Sequence, residues 1–367
     1  MIDSRLNSLA KVLVEYSTEV QAKDRVAIVV QPEGIPLGLE VYRQVLKAGG
    51  YPYWRMKLDE QDFIYFSETN DDQLAHVDQF EELMRLEFEV IIVLFSAGNT
   101  KELTNVDPVQ QKKWVQAGRP MIEKYVERTA SKELRWVIAQ YPTTAYAQEA
   151  GMSVDELTEY MFQSTYADLD NPVEKWLAIH NQQQRWVEWM EGKDKVVVKG
   201  PNADLTLSIK GRTFVNADGK HNMPSGEIFT SPVEESVNGW IRFTYPAIFL
   251  GRQVEGIELK FEEGKVVEAS AEKNEAFLLQ MLDTDEGSRY LGEFAIGTNK
   301  RIDRFIGSIL FDEKIGGTIH LAIGYGFPQA GTQNKSAIHW DMICDMREGG
   351  QILVDDELIY ESGDFKI

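Results

Sequence analysis

The sequence predicts two domains: an α/β domain with an open, largely parallel sheet, followed by a mostly-β α+β domain. Three observations predict this. A chain of 367 residues is long for one domain. Apolar strand patterns alternate with helical patterns in the first half, whereas period-two alternation with glycine-bearing turns dominates after Gly192. We place the boundary at this change of pattern, so the predicted domains are residues 1–193 and 194–367.

Strand and helix patterns alternate along the first half of the chain. Short apolar runs predict strands, helical spacing predicts the segments between them, and residues 152–190 form a long helical connection to the second domain; the predicted strands lie within 26–31, 51–57, 89–95 and 133–142. No strand is followed by GxGxxG or by GxxxxGK[ST]. The sequence therefore disfavours a dinucleotide-binding or P-loop site.

The charge and composition exclude several classes of function. The formal net charge is −21, which disfavours binding to nucleic acid and to an anionic membrane surface, because both require a basic face. The longest aliphatic and aromatic run, at 90–95, is far shorter than a membrane span, and the N-terminal pattern is amphipathic and unlike a signal peptide. Cys344 is the single cysteine, so no internal disulfide or thiolate metal site can form. We expect a cytoplasmic protein.

Four segments of the second half place ionisable side chains inside apolar runs. These side chains are Glu227, Glu293, His320, His339 and Asp341. Residues i and i+2 of a strand project from the same face, so His339 and Asp341 should point the same way while their apolar neighbours pack behind them. A buried carboxylate costs several kcal/mol unless it is paired or bound to a cation. Because four segments repeat this arrangement, the sequence predicts that their ionisable side chains form one shared site.

Two imidazoles and three carboxylates without a thiolate suit divalent cations. Zinc, cobalt, manganese and magnesium all accept such ligands. The excess of carboxylates favours a pair of ions, because one carboxylate can bridge two cations about 3.5–4 Å apart.

The second half also resembles a known family in four ordered motifs. The chain resembles the aminopeptidase T and aminopeptidase S family of metallopeptidases in NMPSGEIFTSP, LGEFAIGTN, ILFDEKIGGTIHLAIG and KSAIHWDMICD. The resemblance is continuous from about residue 195 to the C-terminus. It implies a C-terminal domain with two divalent metal ions, zinc or cobalt first and manganese or magnesium as alternatives. The implied ligands are Glu227, Glu293, His320, His339 and Asp341, with Glu293 as the bridge.

The resemblance also implies catalytic positions, and one of them departs from the family. The family commonly has a tyrosine seven residues after the first metal histidine, where this sequence has Phe327. Tyr325 would share a face with that position if the strand continued, and could replace the missing hydroxyl or simply pack. Glu313 matches an acidic position near the site, or is an exposed loop acid. Either Glu313 or Glu227 could act as general base.

The activity implied by the resemblance is release of N-terminal amino acids from short peptides through a metal-activated water. Family members are homodimers, so we expect a homodimer that acts on peptides with a free N-terminus. Because Phe327 replaces the usual tyrosine, two alternatives stay open. One is a different metal-dependent hydrolase, and the other is a metal-binding protein without peptidase activity.

Overall fold

A computed structural model describes residues 3–367 of the chain. Its helices alternate with strands up to residue 190 and are short and sparse thereafter. The helices are α1 Ser4–Lys11, which continues as a π-helical segment over Val12–Ser17, α2 Ile35–Lys47, α3 Gln61–Glu68, α4 Asp71–Leu74, α5 Gln79–Glu87, α6 Pro108–Ala130, α7 Thr144–Glu149, α8 Val154–Ser164, α9 Pro172–Met190, α10 Glu275–Leu282 and α11 Ile309–Asp312.

The strands fall into an early and a late group. The early strands are β1 Arg25–Val30, β2 Tyr51–Met56, β3 Val90–Phe95 and β4 Arg135–Gln140. The late strands are β5 Lys195–Gly200, β6 Ala203–Ser208, β7 Val215–Ala217, β8 Asn222–Met223, β9 Glu227–Thr230, β10 Asn238–Arg242, β11 Ala247–Phe249, β12 Arg252–Val254, β13 Glu258–Glu262, β14 Lys265–Ser270, β15 Leu291–Gly297, β16 Thr318–Gly324, β17 His339–Asp345, β18 Gln351–Val354, β19 Glu357–Glu361 and β20 Asp364–Phe365.

The chain divides into two compact units. The first contains the described residues up to Leu177 together with Gly219–Pro224, and the second contains Ala178–Asp218 and Ser225–Ile367. The division falls within α9, because Val187 and Met190 near the end of this helix belong to the core of the second unit. The boundary that the sequence predicts, between residues 193 and 194, follows the end of the same helix.

The first unit is built on a parallel sheet. Its strand order is β2-β1-β3-β4-β8, and every neighbouring pair is parallel. One apolar cluster under this sheet consists of Ala27, Val29, Met84, Phe88, Ile91 and Leu134. The short strand β8 is an addition that the sequence does not predict, since it returns from the late part of the chain to pair with β4.

The second unit is built on antiparallel sheets. Eight strands form one sheet, in the order β14-β13-β10-β6-β5-β18-β19-β20, and five form another, in the order β17-β16-β15-β9-β7. One continuous apolar core contains residues from both sheets, including Val198, Leu259, Phe294, Leu321 and Trp340. The predicted fold class, a parallel α/β part followed by a mostly-β part, is confirmed.

No helix within residues 3–367 has the length and apolar character needed to cross a membrane.

Candidate metal centre

The strand register of the five-stranded antiparallel sheet gathers five ionisable residues on one face. Glu293 of β15, Ala322 of β16 and Asp341 of β17 are direct neighbours across the sheet. Opposite residues of paired strands share a face, as do residues i and i+2 of one strand. His320 and His339 therefore lie on the same face as Glu293 and Asp341. Glu227 joins them because it pairs with Gly297, four residues after Glu293.

Small residues occupy other positions of this face. Ala295 faces His320 across the strand pair, and Gly324 faces His339. The opposite face carries large apolar side chains that belong to the core, among them Phe294, Leu321, Trp340 and Met342. This alternation gives the ionisable side chains space on one side while the apolar side stabilises the strands.

A glycine sets the start of the strand that carries Glu227. Gly226 has φ of 119°, a conformation that side-chain-bearing residues rarely adopt. A Cβ atom at this position would lie 2.9 Å from the Cβ of Asn299. The glycine of the motif NMPSGE therefore permits the close approach that brings β9 beside the segment after β15.

The side-chain atoms of this face lie at spacings typical of metal ligands. His339 Nε2 is 3.4 Å from Glu293 Oε2 and 3.4 Å from Asp341 Oδ1. His320 Nε2 is 3.6 Å from Glu293 Oε1 and 3.6 Å from Glu227 Oε2. These separations exceed an ordinary N–H···O hydrogen bond. They lie close to the distance of about 3.4 Å between ligands that are each about 2.1 Å from a tetrahedral ion.

Two overlapping groups of donors could each hold an ion. Glu293, His339 and Asp341 form one group, and Glu313, His320 and Asp341 form the other, with the donor atoms of each group within 4.8 Å of one another. Asp341 is common to both. Glu293 also reaches both histidines, with one carboxylate oxygen facing each ring. Two carboxylates are therefore placed where a bridging ligand would be required.

Buried atoms without a hydrogen-bond partner test the fit to a cation. Among the described residues these include Glu227 Oε2 and Asp341 Oδ1, which face histidine nitrogens at 3.6 and 3.4 Å. A buried carboxylate oxygen that lacks a donor is costly, and a metal ion would satisfy it. The donor set of imidazoles and carboxylates fits a divalent ion on these grounds.

The two histidines have strongly raised pKa values. Burial alone would lower the pKa of His320, but Glu293, Glu227 and Asp341 outweigh burial and raise it to about 9. Burial likewise opposes protonation of His339, whereas Asp341 and Glu293 raise its pKa to about 12. A dense group of negative charges thus favours a positive charge at each ring.

The pKa values of the carboxylates shift in different directions. Burial raises the pKa of Glu227 to about 7, although Lys314 opposes the shift. Burial would also raise the pKa of Asp341, but His339 outweighs it and lowers the value to about 2. Burial would also raise the pKa of Glu293, but the neighbouring His320 and His339 rings together outweigh burial and lower it.

A buried lysine is the site residue that the sequence reasoning missed. Lys314 Nζ lies 2.5 Å from Glu227 Oε1 and 2.6 Å from Glu313 Oε1, and its side chain is 1% exposed. The interpretation of Glu313 as an exposed loop acid is wrong, since its side chain is only 15% exposed and is bound to this lysine. The segment FDEKIGG gives no sign of this burial, because a lysine in a polar loop is normally exposed.

Tyr325 and Phe327 depart from the strand geometry that the sequence predicts. Strand β16 ends at Gly324, whose φ is 93°, so the alternation of β16 does not extend to Tyr325. The Tyr325 carbonyl oxygen accepts a hydrogen bond from His339 Nδ1 at 2.7 Å. Phe327 packs against the His339 ring, with centroids 5.1 Å apart, and against Tyr325, at 6.1 Å. The carbonyl leaves Nε2 of His339 directed at the carboxylates, as expected for a metal-binding histidine.

Comparisons with known proteins show the family to which this chain is similar. The thermophilic metalloprotease (M29) family profile matches residues 2–365. Aminopeptidase 2 of Geobacillus stearothermophilus is 24% identical over 392 residues, covering 100% of this chain and 94% of the relative. Aminopeptidase T of Thermus thermophilus is 29% identical over 303 residues, covering 73% of this chain and 72% of the relative.

A solved structure shares the fold of the whole chain. Wild-type AmpT from Thermus thermophilus superposes with a TM-score of 0.84 at 22% sequence identity, and the superposition covers 100% of both chains. The resemblance stated from the four motifs is thereby confirmed. Because the family match spans nearly the whole sequence, this chain belongs to the M29 family of thermophilic metalloproteases and is a metal-dependent aminopeptidase.

Proposed function

We propose that the face described above binds two divalent metal ions, with zinc or cobalt as the first candidates and manganese or magnesium as alternatives. The observation that carries this proposal is the set of donor separations of 3.4–3.6 Å among buried imidazoles and carboxylates. One ion would be held by Glu293, His339 and Asp341. The other would be held by His320 with Glu227, Glu293 and Asp341 as the available carboxylates, and Glu313 of the second donor group would serve proton transfer instead.

Glu293 is the proposed bridging ligand. Its two oxygens face different histidines, at 3.6 Å for His320 and 3.4 Å for His339. Asp341 offers a second bridge, since it contributes to both donor groups. A bridging carboxylate suits ions about 3.5–4 Å apart.

When bound, the ions supply an activated water and polarise the peptide carbonyl. The chain supplies orientation and proton transfer. The Tyr325 carbonyl holds the His339 ring through Nδ1. Glu313 is the proposed general base, because its carboxylate belongs to the second donor group and its side chain is more exposed than that of Glu227. Tyr325 is the proposed substitute for the tyrosine that Phe327 replaces.

The proposed substrates are short peptides with a free N-terminus. The names of the relatives as aminopeptidases support this, since such enzymes act on the first peptide bond. We further propose a homodimer, on the resemblance to the family, and a cytoplasmic location, on the single buried cysteine.

Metal removal tests the proposed function. The purified protein is dialysed against a chelator and assayed with an amino-acyl amide, the same amide with a blocked N-terminus, and the corresponding ester. Activity on the free amide should disappear and return with zinc or cobalt at about two ions per chain. The blocked amide should not be hydrolysed at any stage. Activity that survives complete removal of metal would contradict the proposal.

A further inference from the structure

Lys314 is a cation built into the acidic face of the second unit. It follows α11 and the adjoining Glu313, and its ammonium group contacts one oxygen each of Glu227 and Glu313. Both contacts use Oε1, and Oε2 of Glu227 is left facing His320 Nε2 at 3.6 Å. The lysine is therefore bound to the side of the carboxylate that faces away from the histidine.

The backbone holds this lysine in place. The Lys314 carbonyl accepts a hydrogen bond from the Asn299 amide at 3.2 Å. The Asn299 side chain in turn donates to the Ser225 carbonyl at 2.9 Å, two residues before Glu227. The segments that carry the lysine and the glutamate are thus tied to one intermediate residue. These hydrogen bonds fix the distance between the two backbone segments from which the charged side chains extend.

We infer that Lys314 is a positioning residue for the metal centre: it fixes the Glu227 carboxylate so that Oε2 points to the ion beside His320. This inference rests on the proposed function. A lysine contact at Oε1 prevents the carboxylate from rotating or from binding an ion through both oxygens. Partners of ligands contribute strongly to metal affinity, and their loss commonly costs about 10–100-fold.

The charge balance favours the same role. Glu227 and Glu313 are both largely buried, and two unpaired carboxylates at this distance would repel each other and resist ionisation. The ammonium group neutralises part of this charge while leaving one net negative charge in the trio for the metal ion. Without the lysine, the carboxylates would turn apart or take up a proton, and the ion would lose a preformed oxygen.

A lysine-to-methionine pair provides the test. Lys314→Met keeps an unbranched side chain that reaches Cε and removes the ammonium group. The matched control is Lys260→Met, because Lys260 also lies between two glutamates of the second unit, Glu268 at 2.6 Å and Glu262 at 3.4 Å, but on the exposed surface. Zinc-loaded proteins are titrated with a chelator, and bound zinc per chain is measured at each concentration. The kcat and KM for an amino-acyl amide are measured at saturating zinc.

We expect Lys314→Met to lose its zinc at a chelator concentration at least about tenfold lower than wild type. At saturating zinc its kcat should fall at least about tenfold while KM stays within about twofold. Lys260→Met should match wild type in both measurements. A purely structural lysine would change the unfolding temperature without moving the chelator midpoint.

An unchanged or higher chelator midpoint for Lys314→Met would overturn the inference. If that variant does not fold, Lys314→Gln carries the same test, since glutamine also removes the positive charge but keeps a polar side chain beside the two buried acids. The wild-type titration separates this inference from the proposed function. A wild-type protein that binds none of zinc, cobalt, manganese and magnesium would refute the metal centre itself, whereas equal retention by wild type and Lys314→Met would refute only the role of the lysine.

Discussion

The protein contains two five-stranded sheets that use charge in opposite ways. In the parallel sheet of the first unit, β3 and the part of β1 after Arg25 consist only of apolar residues. In the antiparallel sheet of the second unit, β9, β15 and β16 each carry one acidic or histidine residue, and β17 carries three of them on a single face. Of these residues, Glu227, Glu293 and His320 are as fully buried as the apolar residues beside them.

The difference separates strands that build a core from strands that also build a site. Burying an apolar side chain stabilises a fold by about 1.5–3 kcal/mol, whereas burying an unpaired charge costs several kcal/mol. A sheet tolerates such a row of charges only when the charges bind one another or a ligand. A buried ionisable residue inside an apolar strand therefore indicates function more strongly than an acid in a loop.

The largest expected effect comes from comparing two single substitutions, one of a charged residue in the antiparallel sheet and one of an apolar residue in the parallel sheet. Glu293→Gln should remove bound metal and lower kcat/KM more than about a hundredfold, since even outer partners of ligands cost about 10–100-fold. Ile28→Ala in the parallel sheet should leave the metal content intact and cost about 2–5 kcal/mol of stability, because Ile28 is fully buried. Metal content, steady-state kinetics and thermal unfolding give the three readouts.

Glu258→Gln is the matched control for Glu293→Gln, because Glu258 lies on the exposed side of β13 in the same unit. It should keep both metal and activity. If Glu293→Gln kept its metal, Glu293 would not be the bridge, and Asp341 would become the first candidate.

The second largest expected effect is a dependence of the stability of the metal-free protein on pH. Folding raises the pKa of Glu227 to about 7 and that of His320 to about 9. The folded protein therefore binds more protons than the unfolded chain between about pH 4.5 and pH 9. The contribution of His320 to stability is fully present below about pH 6.5 and is lost as pH rises through about 9. The unfolding temperature of the metal-free protein should fall at least about 3 °C from about pH 7 to about pH 9.5.

The zinc-loaded protein should not show this fall, because the ion takes the place of the protons. Zinc binding at neutral pH should release protons, measurable by calorimetry in buffers of different ionisation enthalpy. A metal-free protein that became more stable from about pH 7 to about pH 9.5 would contradict the raised pKa values of Glu227 and His320.

The smallest effect concerns the aromatic residues beside His339. Phe327→Tyr places a hydroxyl near that ring, with which Phe327 already packs at 5.1 Å. A hydrogen bond to a charged group contributes about 1.5–3 kcal/mol, so kcat should rise at least about tenfold. If Tyr325 serves as the substitute, Tyr325→Phe should lower kcat by a similar factor, and Phe327→Tyr should restore it in the double variant. Equal kinetics for Tyr325→Phe and wild type would show that Tyr325 only packs.

Much of the fold follows from the period of the apolar pattern. The strands at 26–31, 89–95 and 133–142 appear as β1, β3 and β4, because continuous apolar runs between helices fit the interior of a parallel sheet. The alternation around His339 and Asp341 appears as β17, with Trp340 and Met342 in the core. Local periodicity was sufficient to predict these strands, because all side chains on one face of each strand have the same surroundings.

The sequence was insufficient where contacts join distant segments. Strand β8 pairs with β4 across some eighty residues of sequence, and two residues carry too little pattern to predict this. Lys314 lies in a loop motif where a lysine is normally exposed, and only the positions of Glu227 and Glu313 reveal why it is buried. Strand β16 ends at Gly324 because its left-handed backbone turns the chain, which the apolar run through 325 conceals.

The sequence by itself determined which side chains have the right chemistry and which of them share a strand face, because both properties depend on residue type and on a period of two. Only the tertiary structure decided the order of the strands β9, β15, β16 and β17 in their sheet. It also decided which oxygen of Glu293 faces which histidine, and which acids contact the buried ammonium group of Lys314. Register and distance between segments depend on packing across the whole sheet, and no local pattern encodes them.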